Sequence, residues 1–117
     1  MISIFVSITD KPEFTIEPQN QTVTEGNNVS FSCNAIGNPE ATFSWTINGT
    51  AVNTSANPRI SLSSQNKQLT ITNVRRTDSG QYQCTANNTI ATVVSNAATL
   101  DVQCKCNFNM RFLLLLF

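Results

Sequence analysis

The 117-residue chain carries seven basic and seven acidic residues, no histidine, and only 12% charged residues. That length suits one domain with one core and is too short for two. The sparse, balanced charge excludes a nucleic-acid channel, an acidic tail and a polybasic membrane patch, while the missing imidazole removes the commonest general base and the most frequent zinc ligand.

Residues 1–11 are read as a segment outside the fold: MISIFVSITD is apolar for about eight positions but has neither a basic leading region nor a small-residue cleavage site. From residue 14 to residue 102 short runs with period-two alternation are separated by Gly, Pro, Asn and Asp clusters, and the domain is bounded at 12–103. EFTIEP and QTVTEG form a first strand split at Pro18, which removes a ladder hydrogen bond and is tolerated at an edge. In NVSFSCNA the residues Val29, Phe31, Cys33 and Ala35 point one way, and Asn28, Ser30, Ser32 and Asn34 the other. The turn GNPE leads to ATFSWTIN, with Phe43, Trp45 and Ile47 inward, and Asn48-Gly49 is a hairpin signal. RISLSS and KQLTITNV follow, their inward residues being Ile60, Leu62, Leu69 and Ile71. GQYQCTAN turns Tyr82, Cys84 and Ala86 inward, and TVVSNAATLDV supplies a last strand whose alternation slips between Val93 and Val94, predicting a bend or bulge. This makes seven to nine strands with turns at intervals of roughly 8 to 12 residues, the spacing of an all-β sandwich.

The ends are less regular. MRFLLLLF is eight residues long, against roughly 20 apolar residues for a bilayer span. Residues 104–117 are therefore read as a tail, either the start of a truncated membrane or GPI signal or a gene-model artefact, and the chain as a fragment of something larger. Cys104 and Cys106, without His or a second cysteine pair nearby, make a poor zinc site. They either bond a neighbouring domain or do not belong to the natural protein.

Cys33 and Cys84 fall mid-strand on inward faces 51 positions apart, Trp45 lies inward twelve positions after the first, and the second closes the run DSGQYQC. On these residues the chain resembles an immunoglobulin-like domain over about residues 12 to 103. GNPE with Gly37 and Pro39, LTI at 69–71, Pro12, and Cys84, Ala86 and Asn88 are most similar to its intermediate, or I-set, type. The resemblance implies a Greek-key sandwich of two antiparallel sheets joined by a Cys33–Cys84 disulfide, with Trp45 in the core. Two buried free thiols are the alternative. It also implies a buried Tyr82 whose hydroxyl bonds back to upstream backbone, and an Arg59–Asp78 pair fixing a loop. The pattern departs at Ala91, where the family places a turn glycine; either Ala91 adopts positive φ at a cost of about 1 kcal/mol or the loop takes another shape.

Asn-x-Ser/Thr sequons at Asn20, Asn28, Asn48, Asn53 and Asn87 all fall at strand ends or turns. They read either as glycan sites, which would agree with a disulfide in placing the chain on the secretory route, or as unused polar sequence. Thr42, Ser44, Thr46, Gln81, Gln83 and Thr85 form the outward set of the tryptophan and tyrosine strands, a neutral hydrogen-bonding face that is either a partner surface or plain solvated sheet.

No catalytic, cofactor or metal site is expected. Glu13, Glu17, Glu25, Glu40, Asp10, Asp78 and Asp101 show no paired spacing with a plausible nucleophile, and no phosphate-cradling loop exists among four scattered glycines. The expected function is a non-catalytic extracellular binding or spacer module of a multidomain adhesion, receptor or matrix protein. Its partners would be proteins, bound homophilically or heterophilically, with no nucleic acid and no insertion of the domain into a membrane. The alternatives are an intracellular titin-like structural module and a domain appended to a larger enzyme such as a receptor kinase or peroxidase.

Overall fold

The computed structural model of the chain describes residues 9–105; residues 1–8 and 106–117, with Cys106 and the closing MRFLLLLF, lie outside the described residues. The period-two runs become strand segments β1 (Asp10–Ile16), β2 (Gln21–Thr24), β3 (Val29–Ser32), β4 (Asn34–Asn38), β5 (Thr42–Ile47) and β6 (Thr50–Ala51). They continue as β7 (Ile60–Leu62), β8 (Gln68–Ile71), β9 (Gly80–Asn87), β10 (Thr92–Val94) and β11 (Ala98–Gln103). β3 and β4 are one strand interrupted at Cys33, and β10 and β11 one strand interrupted at residues 95–97. With these joined, and β1 and β2 counted as one split strand, the number falls within the expected seven to nine.

Two layers result. One contains β1–β4 pairing continued through Cys33 into β3–β8–β7, all antiparallel; the other has the order β2–β11–β9–β5–β6, with β10 also on β9. The halves of the first strand therefore serve different sheets: β1 pairs antiparallel with β4, whereas β2 runs parallel to β11, Leu100 opposite Gln21 through Gln103 opposite Thr24. Pro18, between them, lies where the chain crosses from one layer to the other. β1 starts at Asp10, two residues before the domain boundary placed at 12, because Asp10 pairs with Asn38 and its carbonyl accepts the Asn88 Nδ2 proton at 2.7 Å.

The inward sets meet in a single core of Val29, Phe31, Cys33, Phe43, Trp45, Ile60, Leu69, Ile71, Val74, Tyr82, Cys84, Ala86, Ala98, Leu100 and Val102. Ala35, Ile47 and Leu62 face inward too but are only partly buried at its margin. Burying these side chains stabilises by about 1.5–3 kcal/mol for each large one, which is what makes the alternation decisive for the register.

Two local expectations are corrected. The last strand does not slip between Val93 and Val94, which sit in register opposite Ala86 and Thr85. The extra residue enters between Val94 and Ala98, since Ala98 pairs with Tyr82. Ser95 holds the upper ladder in place, its N–H donating to the Cys84 carbonyl at 2.8 Å, and the chain bulges at the next residues. There Glu17 accepts from the Asn96 N–H at 2.9 Å and from Asn96 Nδ2 at 3.1 Å. The β9–β10 turn takes its other shape: Ala91 is not among the residues with positive φ. Asn88 Oδ1 accepts the N–H groups of Ile90 and Ala91, and the Ala91 carbonyl accepts the Asn88 N–H, so a side chain supplies the curvature that glycine would otherwise allow.

Candidate functional site

Cys33 and Cys84 are disulfide-bonded across the two layers, Cα to Cα 6.4 Å, and both are essentially fully buried. Trp45, directly opposite Cys84 on the neighbouring strand, is buried to 2% and donates its indole N–H to the Asn66 carbonyl at 2.7 Å. Asn66 can present that carbonyl because it adopts φ 59°, and its Nδ2 donates in turn to the Phe43 carbonyl at 3.1 Å. Leu69 and Ile71, wholly inaccessible, complete the facing layer.

At the opposite end of β9 the Tyr82 ring stacks on Phe31, centroids 4.7 Å apart, and its hydroxyl donates to the Asp78 carbonyl at 2.7 Å. Burial pushes the phenol pKa well up. The Asp78 carboxylate accepts both ends of the Arg59 guanidinium, at 2.6 and 3.0 Å, and the Arg75 N–H at 2.7 Å. Burial alone would push this carboxyl up, but the Arg59 and Arg75 hydrogen bonds and charges outweigh it and hold the pKa below its ordinary value. Arg59 is correspondingly raised, chiefly by its hydrogen bond to Asp78. These residues tie a loop and hold a corner; none faces an open cleft with a second reactive group.

The surface that could meet a partner is the outer side of the β2–β11–β9–β5–β6 sheet. Strand register sets its side chains in rows: Thr92, Asn87 and Thr42; then Val94, Thr85 and Ser44; then Gln83 and Thr46. Thr42, Ser44, Asn87 and Val94 are exposed, Thr46, Gln83 and Thr85 half-buried. Gln81, also exposed, begins the β9 stripe beside the Asn48 turn. Val94, 56% exposed, is an apolar residue beside the neutral polar β9–β5 part of this face, where the sequence reading did not place it; the exposed Asp101 of β11 adds a charge farther along the same sheet. Its alternation was visible, but the misplaced slip hid which way it points.

All five sequon asparagines are exposed. Each uses its carbonyl oxygen: Asn20 accepts the Thr99 N–H, Asn28 the Asn73 N–H, Asn48 the Gln81 N–H, Asn53 the Ser55 and Ala56 N–H groups, and Asn87 the Thr92 hydroxyl. Among the described residues none of the five donates through Nδ2, whereas Asn57, Asn66, Asn88 and Asn96 do. Asn48 differs in packing over Gly80, where an added Cβ would lie 2.7 Å from its Nδ2.

Among the described residues no group of three or more Cys, Asp or Glu side chains could hold a metal ion. No helix among them is long and apolar enough to cross a membrane. An open groove of about 550 Å³ lies over Glu40, Phe43, Asn66 and Lys67, with the Lys67 ammonium 5.7 Å from the Phe43 ring centre. It gathers no catalytic combination. Cys104 is disulfide-bonded and is not a free thiol. Ser95 is the buried polar residue that sequence reasoning missed: at 4% exposure its hydroxyl accepts the Cys84 N–H at 2.9 Å and donates to the Asn96 carbonyl at 3.0 Å. Its signal was a serine on the inward parity, two residues after Val93.

Comparison with known proteins agrees with this architecture. The family model of the immunoglobulin domain matches residues 11–88. Human peroxidasin homolog is 37% identical over 91 residues, covering 78% of this chain and 6% of that protein. Rat contactin-3 is 35% identical over 103 residues, covering 86% of this chain and 10% of that protein. The N-terminal Ig1-2 module of the Drosophila receptor protein tyrosine phosphatase DLAR superposes with a TM-score of 0.75 at 37% identity, over 83% of this chain and 48% of that one. Titin domains Z1Z2, solved in complex with telethonin, superpose with a TM-score of 0.73 at 31% identity, over 86% of this chain and 51% of that one. The chain thus spans a tenth or less of the length of these two curated relatives.

Proposed function

The chain belongs to the immunoglobulin-domain family, and from that premise we propose that it is a non-catalytic extracellular protein-binding or spacer module of a larger adhesion, receptor or matrix protein. The observation that carries this reading is the Cys33–Cys84 bond at the centre of the core. A disulfide closing a loop of about fifty residues stabilises by roughly 4 kcal/mol in the chain-entropy picture and persists in oxidising compartments. Relatives such as contactin-3 are consistent with that setting. The intermediate type belongs to the same proposal, supported by Gly37, Pro39, Leu69 and Ile71 at the matching places. The neutral outer face of β9 and β5 is the contact surface in this reading, working through hydrogen bonds and shape, since it carries no charge to steer an encounter.

The test is secretion of the full chain from a glycosylating host, followed by a thiol count under denaturing conditions and a glycosidase mobility assay. No titratable thiol at Cys33 and Cys84, together with a mobility shift, is the expected result. Free thiols and no glycan would overturn the reading and favour the intracellular structural module to which the titin likeness points. The peroxidasin likeness keeps a third reading in view, an immunoglobulin domain appended to an enzyme, in which this domain would still do no chemistry.

A further inference from the structure

We infer that Asn87 carries an N-linked glycan and that this sugar closes the outer face of β9 and β5, so that the face is open to a partner only on chains lacking it. The inference rests on the secretory setting proposed above and adds the regulation of that same surface.

The five sequons are not equivalent in position. Asn20 and Asn28 stand just before β2 and β3, Asn48 sits in the β5–β6 turn and Asn53 beyond β6, all off the sheet face. Asn87 is the last residue of β9 and belongs to the outward stripe of Gln81, Gln83 and Thr85. It stands between Thr92 and Thr42 in its row. With about 3.3 Å of rise per residue, the rows containing Thr85 and Gln83 lie only about 7 and 13 Å away along the strand. A bulky branched sugar anchored there overlies the middle of the face.

A glycan that is attached and then kept in the folded domain asks for three things that the chain provides. The sequon is Asn87-Asn88-Thr89. Nδ2 donates no hydrogen bond among the described residues, while Oδ1 accepts the Thr92 hydroxyl at 2.7 Å. The side chain is exposed. In the transfer, Nδ2 forms a bond to the anomeric carbon of a lipid-pyrophosphate-linked oligosaccharide, the bond from that carbon to the pyrophosphate oxygen breaks, and one amide proton is released. Transfer acts on the unfolded chain during synthesis, so the folded structure decides whether the product can be kept. At Asn87 it can, because the side chain is exposed on the outer side of the sheet. Next to Asn88 this contrasts sharply: Asn88 spends its Nδ2 on the Asp10 and Pro39 carbonyls and is half-buried.

The experiment is mass-spectrometric site occupancy on the full chain secreted from a glycosylating host, combined with hydroxyl-radical footprinting. Val94, one row from Asn87, reports the covered face, and Ile36, 62% exposed on the other sheet, serves as the control. Thr89→Ala abolishes the sequon while leaving the Asn87–Thr92 bond in place, and Asn87→Gln is the second variant. The expected result is occupancy at Asn87 and Val94 oxidation several-fold lower in the wild-type glycoprotein than in either variant, with Ile36 unchanged. An occupied Asn87 with equal Val94 oxidation would overturn the shielding. An empty Asn87 beside other occupied sequons would overturn this inference alone, and five empty sequons would remove the secretory reading beneath it as well.

Discussion

Tyr82 and Asp78 are joined twice over at the start of β9: the phenol hydroxyl donates to the Asp78 carbonyl, while the Asp78 carboxylate accepts the Arg59 guanidinium through both oxygens. One residue thus anchors the corner through its backbone and the neighbouring loop through its side chain. The two bonds titrate in opposite directions, and that makes them separable.

Asp78 has its pKa held below the ordinary 3.8, so its contribution to stability is present above that value and is lost as pH falls through the lower folded value. Asp78→Asn is expected to destabilise by about 1–2 kcal/mol at neutral pH, since a bidentate charge-assisted pair is lost, and to flatten the acid limb of the stability profile. Urea midpoints of both proteins from neutral pH down into the acid range measure it. Parallel acid limbs would contradict the assignment.

Tyr82 shows the reverse sign. Its folded pKa is raised above the ordinary 10.0, so its contribution is complete below pH 10 and declines as pH rises beyond it. It is the chain's only tyrosine, so phenolate absorbance reports it without overlap from another residue. The wild-type protein is expected to show no phenolate until it begins to unfold in alkali. Tyr82→Phe should cost roughly 1 kcal/mol at neutral pH for the lost hydroxyl bond and should not show the tyrosine-dependent alkaline decline.

The corner and the sandwich were legible from sequence because they depend on parity. Cys33, Trp45, Tyr82 and Cys84 each lie on the inward face of an unbroken alternating run, and any other register would expose the whole set. Legibility ended where side chains replace backbone rules. The β9–β10 turn is shaped by Asn88 accepting two N–H groups, and the bulge after Val94 is set by Ser95 and by Glu17 reaching from a linker 79 residues away in sequence. The outer face was visible as a list of polar residues whose parity Asn87 continues, but Val94 joins it only once the β9–β10 register is known.

Ser95 offers a prediction about the disulfide strand itself. Its hydroxyl is the acceptor for the Cys84 N–H, a donor with no exposure in the middle of the core. Ser95→Ala removes that acceptor and should destabilise by about 1–3 kcal/mol, whereas Ser95→Thr keeps the oxygen and should recover most of the loss if the added methyl is accommodated. Amide hydrogen exchange at Cys84 distinguishes the cause, because only the lost acceptor accelerates that proton ahead of its neighbours.

Removal of the disulfide tests how much the packed layers hold on their own. The double substitution Cys33→Ala and Cys84→Ala is expected to lower unfolding free energy by about 4 kcal/mol, against a usual total of about 5–15 kcal/mol for a domain. The folded state should survive, since Trp45, Leu69, Ile71 and Tyr82 remain buried around the vacated site. A chain that stays folded with a lower denaturant midpoint fits this account; one as stable as wild type would show that the staple adds nothing to the packing.

Gly80 decides the geometry at which β9 leaves the corner. A Cβ there would lie 2.6 Å from Asn48 Oδ1, the atom that accepts the Gln81 N–H at 2.9 Å. Gly80→Ala carries a backbone cost at φ 156° and must besides either push the Asn48 side chain off that bond or displace the β5–β6 turn, and a loss of about 1–3 kcal/mol is expected. Asn48→Gly in the same chain removes the clash without straining the turn, because φ at that position is 51° and glycine adopts it freely. The double variant should then be more stable than Gly80→Ala alone, even though Asn48→Gly by itself is destabilising through the unpaired Gln81 N–H. Denaturant unfolding of the four proteins in this cycle measures the coupling. Additive effects would mean that Gly80 is required by its own backbone angle rather than by the Asn48 amide above it.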